Sequence, residues 1–179
     1  DYLSGGRFIF GIGAGWNAEE MADHGVAFND RWKITRERVL AMREIWTNDE
    51  AEYHGEFVDF EPLWSWPKPA QEGGPPILMG ANSKWSYDRI ADYCDGWLGL
   101  AGLTDPTGAI DKIRASAEKA GRPMSDFDIT VAGELNPENI EYLSELGVTR
   151  IVAQIPSETG DTVLPMLDGW AEIIERYQA

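Results

Sequence analysis

The chain has 179 residues, 43% of them hydrophobic and eight of them tryptophan, which is ample for one folded domain and too apolar for disorder. Fifteen basic residues against 31 acidic ones give a net charge of −16, which excludes nucleic acid and anionic membrane surfaces as partners wherever no local basic patch overrides it. The single cysteine, Cys94, rules out an internal disulfide framework and makes a reducing cytoplasm the expected compartment; no stretch reads as a membrane span or as a basic-then-apolar leader.

In chain order, "DYLSGGR" reads as the end of a helix followed by a turn, as though the chain began mid-structure. "RFIFGIGAGW" (residues 7–16) is a strand that dissolves into glycines at 11, 13 and 15 and stops at Trp16; each glycine opens the backbone to a ligand or to another strand. "NAEEMADHGVAFND" (17–30) is polar and irregular. "DRWKITRERVLAMREIW" (30–46) places Trp32, Ile34, Thr35, Val39, Met42 and Trp46 at helical spacing, with Asp30 as N-cap. "EAEYHGEFVDFEP" (50–62) alternates around His54-Gly55 and predicts a hairpin over 50–60, and "LWSWPKPAQEGGPP" (63–76) is a loop.

From residue 76 strand and helix alternate without a break: "PILMGA", "SKWSYDRIADYC", "GWLGLAG", "DPTGAIDKIRASAEKAG", "DFDITVAGE", "NPENIEYLSELG", "TRIVAQIP" and "DTVLPMLDGWAEIIERYQ". Pro137 opens the sixth of these and Gly147 closes it. Such alternation predicts an α/β fold with a parallel sheet. Eight βα units close a (β/α)8 TIM-type barrel in about 250 residues, whereas the five counted here leave two sheet edges open. The expectation is therefore an incomplete barrel lacking three units at its front, with a small open sheet of five strands as the alternative.

Ligands of parallel α/β folds meet the carboxyl ends of the strands. Five such places are Gly13 to Trp16, Gly80 to Ser83, Ala101-Gly102, Glu134 with Asn136, and Gln154 to Ser157. In "MGANSKWSYDRIA" the strand passes through Gly80 into a helix whose first turn is expected to hold Asn82, Ser83 and Ser86, a suitable anion site; Asn82 or Ser83 could equally be an ordinary N-cap. "GIGAG" lacks the third glycine and the acidic residue of a dinucleotide fingerprint and fits better a flat ring lying on bare backbone beside Trp16. His24 and His54 lack metal-ligand spacing, and no serine sits in a nucleophile elbow. Glu134 reads either as a buried acid or as a solvated loop residue. Trp64, Trp66 and Trp85 read as core or interface, and Cys94 as a small buried hydrophobe.

Taken together, "LSGGRFIFGIGAGW", "RWKITRERVLAMREIW", "YHGEFVDFEP", "PKPAQEGGPPILMGANSKWSYDRIADYCDGW" and "ELGVTRIVAQIP" resemble the bacterial-luciferase-like flavin- and F420-dependent oxidoreductases over nearly the whole chain, closest to the F420-dependent subgroup. The resemblance implies a single luciferase-like domain over 1–179 holding barrel strands four to eight, the 50–60 hairpin being part of an insertion. It implies a coenzyme F420 or FMN cofactor contacted by Gly13, Ala14, Gly15, Trp16, Gly80, Ala81, Asn82 and Ser83, with its phosphate on the last four. Ala81 stands where many relatives have glycine, and no basic residue lies near Ala14, which leaves the phosphate to neutral donors; Arg31, Lys33, Lys84 and Arg89 are candidates for a groove holding the F420 oligoglutamate tail. The implied activity is hydride transfer or monooxygenation of a small-molecule substrate, with a homodimer as a candidate assembly and the catalytic residues on the absent strands. Two alternatives stand beside it: a non-catalytic luciferase-like relative acting as a binding subunit, and a phosphate-binding barrel lyase or isomerase.

Overall fold

The structure, a computed structural model, describes residues 1–100 and 105–178. A 3-10 turn over Tyr2–Ser4 closes at Gly5, in the left-handed conformation, and leads into β1 (Phe10–Ile12). α1 (Ala18–Asp23) follows, then a 3-10 turn (Phe28–Asp30) running directly into α2 (Arg31–Thr47). β2 (Ala51–His54) and β3 (Asp59–Leu63) form the antiparallel hairpin. The alternating half comprises β4 (Ile77–Met79), α3 (Ser86–Tyr93), β5 (Gly96–Gly99), α4 (Pro106–Ala120), β6 (Asp128–Gly133), α5 (Pro137–Glu145), β7 (Arg150–Ala153) and α6 (Gly160–Gln178).

The sheet order is β1-β4-β5-β6-β7 and every pairing is parallel, with β1 and β7 as open edges. Apolar runs put β4 to β6 in the centre: Ile77, Met79, Trp97 and Ile129 are fully buried and pack with Tyr87, Ile90 and Ala91 of α3 and Ile110, Ile113 and Ala117 of α4. Polar caps fix where the helices begin. Asp105 accepts from the Thr107 and Gly108 N–H groups, and Asn136 from Asn139 N–H at 2.9 Å, both ahead of a proline in the first turn. Gly96 is a packing requirement, since a Cβ there would overlap the Asp128 carbonyl oxygen and lie 2.6 Å from Leu78 Cδ2. Among the described residues no helix is long and apolar enough to cross a membrane.

Several local expectations are corrected. Residues 17–30 are not irregular: Asn17 caps α1 by accepting from Glu19 and Glu20 N–H, and those two acidic residues in the first turn suit the helix dipole. Asp30 precedes α2, but its backbone is already helical and its side chain makes no capping bond, because the 3-10 turn leads straight into the helix. The hairpin extends to Leu63, past the expected 60. Its turn is held from outside: Glu37 of α2 accepts N–H bonds from Glu56, Phe57 and Val58 at 3.0, 2.7 and 3.0 Å. Those bonds, the one from Phe57 first, hold the Glu37 carboxyl below its ordinary range.

Candidate functional site

Parallel register gathers the strand ends along one rim of the sheet. Ile12 pairs with Met79, and Gly80 N–H donates to the Ile12 carbonyl at 2.8 Å, so the β1 and β4 exits lie side by side. The two glycine-bearing stretches thus meet at Gly13 and Gly80. A Cβ added to Gly13 would come no nearer than 3.9 Å, to the Gly80 oxygen, and one added to Gly80 would lie 3.6 Å from Ile12 O and 3.8 Å from Leu98 O. Neither has the positive φ that favours glycine. In contrast to Gly96, then, the fold has room for a side chain at both positions, and what their hydrogens leave is open surface at the rim.

The Gly80–Ser83 segment is tied to the core from below. The fully buried Trp97 donates its indole Nε1–H to the Ala81 carbonyl at 3.1 Å. Asn82 and Ser83 are exposed and lie ahead of α3, not in its first turn as expected. Trp85 takes the cap position without a side-chain bond, and Ser86 donates both its N–H and its Oγ to the Ser83 carbonyl at 2.9 and 2.5 Å. The result is a strand–loop–helix passage whose loop turns outward. Asp88 in the first turn of α3 is committed elsewhere: Lys119 and Ser116 hold its carboxyl below the ordinary range.

At the β1 end, Gly13, Ala14, Gly15 and Trp16 line a cavity of about 350 Å³ together with Met21, His24, Arg31, Thr35 and Arg38. Gly15 takes φ +83, and Trp16 is 87% exposed. Two basic residues of α2, Arg31 and Arg38, line this cavity together with the acidic Glu20 of α1. Arg31 stacks over Phe28 at 3.7 Å and donates to its carbonyl at 2.7 Å, while its Nε is buried without a partner. Arg38 has no ion pair among the described residues, in a chain with 31 carboxylates. Trp32 lies between two cations, with Arg31 5.6 Å and Arg89 4.5 Å from its ring. The signal for this cluster was present in "RWKITRER", where positions 31, 33, 36 and 38 are all basic.

The remaining candidates divide. Ala101-Gly102 lies outside the described residues. Glu134 is exposed and its carboxylate accepts from Asn136 at 3.2 Å, so the solvated reading describes it. Trp64, Trp66 and Trp85 are 78, 64 and 61% exposed, so of the two readings, core or interface, the core one does not hold. Lys84 sits 4.4 Å over the Trp85 ring, and Lys33 is engaged with Glu56 at 3.3 Å. Cys94 is fully buried and its thiol is pushed up to about 12 by burial, with the nearby Asp95 adding to the shift. His54 bonds Asp59 at 2.8 Å on the exposed hairpin, and among the described residues no group of three or more His, Cys, Asp or Glu side chains could hold a metal ion.

The sequence profile of the family described as Luciferase-like monooxygenase matches residues 1–137. The chain belongs to that family. Its five parallel strands and the helices between them have the α/β architecture of the luciferase-like TIM-barrel proteins. An uncharacterized protein of Mycobacterium tuberculosis is 36% identical over 164 residues, covering 90% of this chain and 57% of that protein. The FMNH(2)-dependent dimethylsulfone monooxygenase of Pseudomonas putida is 29% identical over 128 residues, 69% of this chain and 35% of the enzyme. Among solved structures, an F420-dependent secondary alcohol dehydrogenase in complex with an F420-acetone adduct superposes with a TM-score of 0.60 at 16% identity, covering 94% of this luciferase-like chain and 62% of the dehydrogenase. The chain spans about half the length of the curated relatives it matches first.

Proposed function

We propose that this luciferase-like chain forms the cofactor-bearing part of an oxidoreductase that uses FMN or coenzyme F420, and that it contributes the fourth to eighth strands of the barrel. The observation that carries the reading is the pair Gly13 and Gly80: adjacent strand exits where the fold tolerates side chains and none is present, leaving a bare backbone shelf at the rim where barrels of this class bind ligands. Relatives named for FMNH2 and for F420 support either cofactor.

The residues present fit such a group. Gly80, Ala81, Asn82 and Ser83 would take its phosphate, on a loop whose position is set by the Trp97 indole. Gly13 to Trp16 would take the ring system or its side chain. Arg31 and Arg38 supply positive charge that the loop itself lacks, and the unpartnered Arg31 Nε is a donor already desolvated. When bound, a flavin or deazaflavin supplies hydride-transfer chemistry; the protein's part is to hold it, orient it and exclude water.

Reconstitution tests the reading. The purified chain is mixed separately with FMN and F420, desalted, and its absorption recorded. A retained, shifted chromophore is expected, and Ser83→Asp, which sets a negative charge at the phosphate loop, is expected to abolish retention. Retention of neither cofactor, or equal retention by Ser83→Asp, overturns it.

A further inference from the structure

A cavity of about 920 Å³ opens elsewhere on the same rim, at the carboxyl ends of β6 and β7. At the usual strand spacing it lies about 10 Å from the β4 exit, within reach of a cofactor spread across the strand ends. Its floor is the turn from Ala132 to Asn136, one wall is the first turns of α5, and the other is Met166 and Trp170, one turn apart on α6.

The lining has a consistent chemistry. It contains no lysine, arginine or histidine, whereas the cavity at the β1 exit holds Arg31, Arg38 and His24 against one carboxylate, Glu20. Polar groups are supplied by Glu134, Glu138, Asn139, Tyr142 and Gln154. Some are already engaged: Asn139 donates Nδ2–H to the Glu134 carbonyl at 2.7 Å, and the Tyr142 hydroxyl bonds Thr107 Oγ1 at 3.0 Å. Gln154 is exposed, and its amide has no partner among the described residues. Two carboxylates without a cation, in a chain of net charge −16, repel an anion and leave its charge uncompensated. Amides, carboxylates and a phenol match hydroxyl groups, which both donate and accept, and an indole offers a flat apolar plate to the C–H face of a ring.

From this division of charge we infer that the β6–β7 cavity is the substrate bay and that its substrate is a neutral, polyhydroxylated ring compound, stacked on Trp170 and hydrogen-bonded by Gln154 and the Glu134–Asn139 turn. The assignment of the bay to a substrate rests on the oxidoreductase reading above. Binding of such a compound does not, so the two can fail separately.

Saturation-transfer NMR on the purified chain tests it, with D-glucose as the neutral probe and D-glucuronate as the same ring bearing a carboxylate. Glucose is expected to receive saturation and glucuronate to bind at least about fivefold more weakly. Trp170→Ala and Gln154→Leu are each expected to weaken glucose binding severalfold, with circular dichroism confirming the fold and the exposed Gln154 guarding against a purely structural effect of Trp170→Ala. Ser83→Asp is expected to leave glucose binding intact while cofactor retention is lost. No saturation of glucose, glucuronate binding as well as glucose, or a glucose signal indifferent to both cavity variants would overturn the inference. Loss of cofactor retention in the parent chain with the glucose pattern intact would instead overturn the cofactor reading and leave a polyol site.

Discussion

Adding one methyl group at Gly80 or at Gly96 separates the two uses this chain makes of glycine. At Gly96 the new Cβ meets the Asp128 backbone carbonyl and comes within 2.6 Å of Leu78 Cδ2, at the pairing of two central strands where neither neighbour can withdraw. Overpacking a core costs about 1–3 kcal/mol, and a clash with strand backbone belongs at or above the top of that range. Gly96→Ala is therefore expected to lose about 3 kcal/mol or more, a fall in Tm of roughly 6–12 °C for a chain of this size. At Gly80 the Cβ lies 3.6 and 3.8 Å from two carbonyl oxygens, ordinary contact, and φ is not positive. Removing a glycine at a compatible position narrows the unfolded ensemble and stabilises by about 0.4–1 kcal/mol, so Gly80→Ala is expected to match or slightly exceed the parent in a urea titration. Its effect falls on the cofactor. A methyl group on the bare shelf is expected to weaken retention of FMN or F420 by about tenfold, 1.4 kcal/mol. The reasoning is refuted if Gly80→Ala unfolds as early as Gly96→Ala, or if it unfolds normally and holds the cofactor as tightly as the parent.

Three further outcomes are expected. Because Glu37 is held below its ordinary value of 4.5 in the folded chain, the stability it lends the hairpin is complete above that value and is lost as pH falls through the depressed one; the amide resonances of Glu56, Phe57 and Val58 should shift over that acidic window, and Glu37→Gln should abolish the shift. Cys94 should react with a thiol reagent only after denaturant is added, since a thiol pushed up to about 12 and fully buried is neither ionised nor reachable at neutral pH; labelling in native buffer at the rate of free cysteine contradicts this. Arg31→Ala and Arg38→Ala should each weaken FMN retention by about three- to tenfold without moving the urea midpoint by much, and unchanged retention in both removes the guanidinium groups from the site.

The strand–helix alternation after residue 76 was legible because each element carries local punctuation: Asp105 and Pro106 open α4, Gly121 closes it at φ +70, and Asn136, Pro137 and Gly147 do the same for α5. α1 had such punctuation too, in Asn17 followed by Glu19 and Glu20, but its six residues carry no apolar stripe long enough to register as a period. The glycine stretches were legible as strand ends, and their adjacency follows once the sheet is parallel. What the local pattern could not show is reach. Arg31 and Arg38 come from a helix starting well beyond Trp16, and only the tertiary arrangement puts them in the lining of the same cavity as Ala14. The start of α3 lies later than expected: Ser83 has the chemistry of a cap, but its carbonyl accepts from Ser86, and the helix begins only there, after a loop whose Ala81 carbonyl is bonded to Trp97. The tryptophans at 64, 66 and 85 show the converse, since an apolar residue type does not say whether its own chain covers it.

The indole bond from Trp97 to Ala81 also sets a gradient of lifetimes along the cofactor loop. The Gly80 N–H is bonded to β1, and the Ala81 carbonyl accepts from an indole that cannot rotate without opening the core, so the Gly80 amide hydrogen is expected to exchange with solvent only when the sheet opens. The next two residues, Asn82 and Ser83, are exposed. The loop is thus held at its root by the most deeply buried indole of the chain and exposed to solvent at its tip, so a bound phosphate would be read out chiefly as a slowing of exchange at the tip.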